Sequence, residues 1–218
     1  DAFIDARVTT TVKAVILTGA GRAFSAGADL QEMGRNSYRP RHGFAGLLDA
    51  ILDFPKPFLL AVNGLGVGVG ATICGLADFV YMAAGARLRC PFSTLGLTAE
   101  AASTVTFPQL MGRQRAAWFL MAAEWMSAAE CKDAGLALEV VPDAMLMSRV
   151  REQAAKLAAL PLASLIQTKS LIMDPLRPQL RESAQAENAG LAALLGGPAN
   201  REALAAFREK RAADFSGL

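Results

Sequence analysis

The chain has 218 residues, of which 53% are hydrophobic and 19% charged, and a net charge of +2. That length suffices for a sizeable buried core, one domain with a smaller appendage, and the near-neutral balance excludes the broad basic field that draws nucleic acid or anionic membrane. The longest apolar stretch, Leu65 to Leu76, is too short and too glycine-studded for a membrane span, and no signal-peptide pattern is present, so a soluble protein is expected.

In chain order, Asp1 stands in what reads as the end of a helix, so the chain is expected to be part of a longer protein. VKAVILTG, Val12 to Gly19, has the continuous β-branched character of a strand buried on both faces. AFSAGADL follows, with small residues around Gly27 and a lone carboxylate, Asp29, before Leu30. Small side chains let a ligand approach the backbone, and amides outside a ladder must find a partner. Arg35, Arg39, Arg41 and His42 then cluster in MGRNSYRPRHG, and are read as solvated surface. FAGLLDAILDF, Phe44 to Phe54, places Leu47, Leu48, Ile51 and Leu52 at helical spacing and is stopped by Pro55 and Pro57. PFLLAVNG gives a second buried strand, DFVYMA (Asp78 to Ala83) a third, and ARLRCPF a fourth ended by Pro91.

From about residue 113 the pattern becomes almost wholly helical, which divides the chain into an α/β core over 1–112, its first part incomplete, and a helical extension over 113–218. TVTFPQLMG, RQRAAWFLMAAE, SAAECKDAG and DAMLMSRVREQAAKLAAL read as helices. The last carries Leu146, Val150, Ala154 and Leu157 on one face, and SAAE has capping-box form. Beyond Pro161 two or three further helices are split by Pro175, Pro178 and Gly196-Gly197-Pro198. Cys74, Cys90 and Cys131 lack metal-type spacing with the single His42 and read as buried reduced thiols; no metal is expected.

The second informative stretch is NGLGVGVGATICGLADFVY, with Gly64, Gly66, Gly68 and Gly70 at every second residue before a helix-like segment. Such a turn brings helix-start amides close to an anionic oxygen. Gly66, Gly68 and Ala71 also fit G-x-G-x-x-A, but a dinucleotide site needs an acid about twenty residues on, where Cys90, Pro91 and Phe92 stand, and no P-loop motif exists. Tight helix packing through the glycines is the bland alternative.

GRAFSAGADL, then AVNGLGVGVGATICGLADFVYMA, then FSTLGLTAE and a helical tail together resemble the enoyl-CoA hydratase/isomerase family, the crotonase superfamily, from about Val12 to the end. The resemblance implies a spiral of ββα units, a C-terminal helical trimerisation region, and an acyl-CoA thioester bound between the two loops. It implies that the backbone N–H groups of Ala28 and Val69 form an oxyanion hole. Around it, Ala26, Asp29, Leu30 and Gly68 contact the substrate, while Phe207 and Lys210 in FREKRAADF reach the CoA of a neighbouring subunit. Val69 stands where many relatives have glycine, which a backbone donor tolerates at negative φ. Two such donors aimed at a thioester oxygen stabilise an enolate.

Hydratases of the family resemble one another in carrying two glutamates, at positions where this chain has Thr72 and Phe92, so ordinary hydration lacks its carboxylate pair. PFSTLGLTAE resembles the corresponding segment of peroxisomal-type Δ3,Δ2-enoyl-CoA isomerases, which makes Glu100 the expected acid/base of a 1,3-proton shift. A buried Glu100 would have a raised pKa, and one capping the next helix a lowered one. The rivals are hydration or another acyl-CoA reaction using loop acids such as Asp49, and a non-catalytic CoA- or RNA-binding homologue, although no lysine-rich helix stands out. No cofactor is expected, since coenzyme A is part of the substrate, and the expected partners are an acyl-CoA thioester and further copies in a homotrimer or dimer of trimers. The terminus FSGL is not a peroxisomal address, so the cytoplasm is the expected compartment.

Overall fold

The computed structural model describes residues 1–29 and 41–218, so Leu30, Arg35 and Arg39 lie outside the described residues. A short helix α1 (Ala2–Val8) precedes β1 (Val15–Thr18) and β2 (Ala23–Ser25), and α2 (Gly43–Leu52) leads into β3 (Phe58–Val62) and β4 (Leu65–Val67). After the one-turn helix α3 (Val69–Thr72) and a 3₁₀ turn come β5 (Phe79–Ala83) and β6 (Arg87–Arg89). Helices α4 (Ser103–Met111) and α5 (Arg113–Ala122) are followed by β7 (Trp125–Ser127), α6 (Ala128–Asp133) and β8 (Glu139–Val141). The tail folds as α7 (Leu146–Ala158), α8 (Leu162–Met173), α9 (Arg177–Leu194) and α10 (Pro198–Glu209).

Successive strands alternate between two four-stranded sheets, β1-β3-β5-β8 and β2-β4-β6-β7. Each ββ step therefore adds one strand to each sheet, which is the spiral expected for the fold, and all described pairs are parallel except β6 with β7. β3 sits between β1 and β5 and is buried at every position, as a central parallel strand covered on both faces must be. Its Leu59 pairs with Ile16 and Phe79, and Leu146 and Val150 of α7 are buried in the same core.

The four strands expected from apolar runs all form. The sequence reading passes over β2, β4, β7 and β8, each of three residues and too short to show a period. The stretch beyond residue 113 is thus not wholly helical, for β7 and β8 complete the two sheets. The capping box is present, with the Ser127 hydroxyl accepting from the Glu130 N–H and the Glu130 carboxylate accepting from the Ser127 N–H. Asp78 works at the entry of β5, accepting from the Phe58 N–H (2.8 Å) and from Lys169 Nζ on α8 (2.6 Å). All three cysteines are buried free thiols. No described helix is long and apolar enough to cross a membrane.

Candidate active site

The two glycine-bearing loops meet at the ends of β2 and β4. Gly27 has φ +79° and lies so close to the β4 backbone that a Cβ there would fall 2.7 Å from the Val67 carbonyl oxygen. Gly68, at φ +58° and ψ −120°, adopts a conformation that L side chains rarely enter. The Gly27 N–H donates to Ser25 Oγ (3.3 Å) and the Gly68 N–H to the Arg89 carbonyl (3.0 Å). The next amide on each loop, Ala28 and Val69, has no hydrogen-bond partner among the described residues. Val69 is the first residue of α3, with the negative φ that a non-glycine donor needs there.

The glycine ladder divides its work. Gly64 and Gly70 abut the β2 segment, where a Cβ would fall 2.1 Å from the Arg22 carbonyl and 2.7 Å from the Ser25 carbonyl, and Gly66 abuts Leu88. These three serve packing, as the bland alternative held, and Gly68 is the one that faces open space.

That space is a cavity of about 450 Å³ lined by Ala26, Gly27, Ala28, Val67 and Gly68 from the two loops, by Pro91, Phe92, Leu95, Leu97 and Glu100 from the segment after β6, and by Leu191, Ala192 and Leu195 at the end of α9. Glu100 is the one ionisable side chain among the described residues of this lining, and its side chain accepts no hydrogen bond among them. A Cβ on Gly68 would lie 3.6 Å from Glu100 Oε1, so the carboxylate sits beside the Val69 amide's loop. Burial, reinforced by the negative charge of Glu187, pushes its pKa from 4.5 up to about 7. Of the two opposed expectations for this acid, burial prevails because Glu100 does not cap α4: its backbone carbonyl accepts the Ser103 N–H (3.2 Å), and the cap is supplied from α9.

Ala26, Ala28, Gly68 and Glu100 are thus brought together. Asp29 is exposed and outside the cavity lining, and Leu30 lies outside the described residues. Phe207 and Lys210, at the end of α10, are exposed and do not line this chain's cavity. Thr72 is fully buried with its hydroxyl unpartnered, whereas Phe92 forms part of the wall. Asp49 is taken up by Arg181 on the outer face of α2, and His42 by Asp1 (2.9 Å). Sequence reading misses the α9 wall, because Leu191, Ala192 and Leu195 carry only a helix's ordinary apolar spacing. Among the described residues no group of three or more His, Cys, Asp or Glu could hold a metal.

Residues 1–217 match the family model for enoyl-CoA hydratase/isomerase. A probable enoyl-CoA hydratase of Rhodobacter capsulatus is 36% identical over 97% of this chain and 84% of its own length. The enoyl-CoA delta isomerase 2 of Rattus norvegicus is also 36% identical, over 72% of this chain and 42% of its own length. The chain therefore spans less than half of that isomerase. The crystal structure of an enoyl-CoA hydratase/isomerase from Pseudoalteromonas atlantica superposes with a TM-score of 0.93 over 99% of this chain and 86% of the other, at 33% identity.

Proposed function

Since the chain belongs to the enoyl-CoA hydratase/isomerase family, the crotonase superfamily of enzymes acting on acyl-CoA thioesters, we propose that it moves a double bond from C3–C4 to C2–C3 of an enoyl-CoA. The observation that carries this reading is the lone carboxylate: Glu100 is the single ionisable group among the described lining residues, half-buried, without a hydrogen-bond partner among the described residues, and with its pKa raised to about 7. One base suffices for a 1,3-proton shift, while addition of water calls for a second group to hold and activate it. Thr72 and Phe92 stand at the positions that resemblance gives to the hydratases' glutamates, and neither is an acid.

In this mechanism the Ala28 and Val69 amides hold the thioester oxygen. The Glu100 carboxylate takes a proton from C2, the C2–H electrons pass into the carbonyl, and a dienolate forms whose oxygen charge the two amides stabilise. The protonated Glu100 then delivers that proton to C4 as the C2–C3 double bond forms, leaving the carboxylate ready for the next turnover. The apolar walls from Phe92, Leu95, Leu97 and Leu191 keep bulk water from the dienolate. A homotrimer or dimer of trimers in the cytoplasm, serving fatty-acid β-oxidation, belongs to the same proposal.

Proton NMR of a 3-enoyl-CoA incubated with the wild type and with Glu100→Gln tests the reading. The wild type should convert it to the 2-enoyl form, and the variant should be slower by about 10²–10⁴-fold, the usual contribution of a general base. A wild type that leaves the 3-enoyl-CoA intact, or a variant as fast as the wild type, overturns it.

A further inference from the structure

The chain bends sharply just after Glu100. Ala101 and Ala102 have φ of 62° and 56°, consecutive alanines in the left-handed region, where a side chain costs about 1–2 kcal/mol per residue. Such conformations persist only where the surroundings over-determine them. Here the fastening comes from α9, some 85 residues away. Glu187 is 6% exposed, and its Oε2 accepts the Ala102 N–H (2.6 Å) while its Oε1 accepts the Thr104 N–H (2.9 Å) and the Thr104 hydroxyl (2.6 Å).

α4 has no side-chain cap from its own N-cap residue, Ala102, so Glu187 satisfies its first amides from outside. No Lys or Arg pairs with Glu187 among the described residues. Besides a long bond from the Ser183 hydroxyl on its own helix (3.4 Å), the three short bonds to this buried carboxylate all come from that one turn, and charge-assisted bonds of such length are about twice as strong as neutral ones.

We propose that Glu187 is the positioning residue of the catalytic cavity, clamping the left-handed turn at Ala101 and Ala102 and so holding the Glu100 carboxylate beside Gly68. The inference rests on Glu100 being the base of the reaction proposed above. One ionisable group bears on Glu100, Glu187 from α9, whose charge adds to burial in raising it; the Cys90 thiol after β6, kept protonated chiefly by its own burial, is in turn raised by Glu100. In Glu187→Gln one amide oxygen replaces two acceptors, so the Ala102 or the Thr104 N–H faces an NH₂ group, and the like charge is gone.

Two readouts on the wild type, Glu187→Gln and Thr104→Val test the proposal: turnover of a 3-enoyl-CoA, and the ¹³C NMR titration of Glu100 in glutamate-labelled protein, assigned by its loss in Glu100→Gln. In Glu187→Gln, kcat should fall by about 10–100-fold with KM within about twofold, as expected of a misplaced catalytic group. The Glu100 midpoint should move down from about 7 as the neighbouring charge is removed. Thr104→Val, which keeps both backbone bonds, should show a smaller loss in the same direction, and it decides the matter if Glu187→Gln does not fold. Turnover within about threefold of the wild type, or a loss with no movement of the midpoint, overturns the proposal. If the wild type itself leaves 3-enoyl-CoA unchanged, the isomerase reading fails, and the titration of Thr104→Val, which removes a bond to Glu187 but no charge, decides the clamp: a shifted Glu100 midpoint supports it and an unmoved one overturns it.

Discussion

At the scale of single residues, the site separates what a side chain does from what a peptide group does. Val69→Pro removes the backbone donor at a position that tolerates proline, because the first position of a helix has no intrahelical partner for its N–H and accepts proline's fixed φ. It should lower kcat by about 10²–10³-fold with little change in the melting temperature, measured by steady-state kinetics and calorimetry. Glu100 sets the pH response. With its pKa near 7, kcat/KM should climb from pH 5, reach half its maximum near 7 and level off above 8, and Glu100→Gln should abolish that climb. Residue identities in this region were readable from sequence: the small residues around Gly27, Gly68 of the alternating glycines and the acid of LGLTAE all reach the site. The division of labour among the glycines was not, since only the approach of β2 to β4 reveals that Gly64, Gly66 and Gly70 are hemmed in by backbone or by Leu88 while Gly68 is not.

At the scale of elements, the helical tail is fastened to the sheet by a buried ion pair. Lys169 on α8 donates to Asp78 at the start of β5 (2.6 Å) and to the Lys56 carbonyl before β3 (3.0 Å), and Asp78 also accepts the Phe58 amide. Burial draws the Lys169 pKa down and the Asp78 charge opposes that. Lys169→Met should destabilise by about 3–5 kcal/mol, because Asp78 would lose its cation and keep only the Phe58 amide, and urea unfolding would register the change as a lowered midpoint. Long elements were legible because burial imposes a period: β3 as an unbroken apolar run, α7 through Leu146 and Val150, α6 through its capping box. β2, β4, β7 and β8 were not, because three residues hold no period and their strand state comes from the neighbour they pair with.

At the scale of the whole molecule, activity and stability pull in opposite directions with pH. Glu100 has a higher pKa folded than its ordinary 4.5, so between about 4.5 and 7 the folded chain binds more protons than the unfolded one. Its stabilising contribution is present below the lower value and is lost as pH rises through the upper one. Glu100→Gln should therefore be more stable than the wild type by about 3 kcal/mol at pH 8, and the gain should vanish by pH 4, in denaturant titrations at the two pH values. A cavity assembled from positions 26–28, 67–68, 91–100 and 191–195 draws its walls from both ends of the chain, which is why its carboxylate, Glu100, was legible in a local motif and its far wall was not. That far wall has an evolutionary cost attached. Glu187, Leu191 and Leu195 recur every fourth residue along α9 and its end, so the helix that would be trimmed or rotated to admit a bulkier acyl tail is the one that grips the turn behind the base. If Glu100 is the base proposed above, substrate range and proton transfer are inherited together, and a lineage drifting toward longer or branched chains must first find another way to hold it.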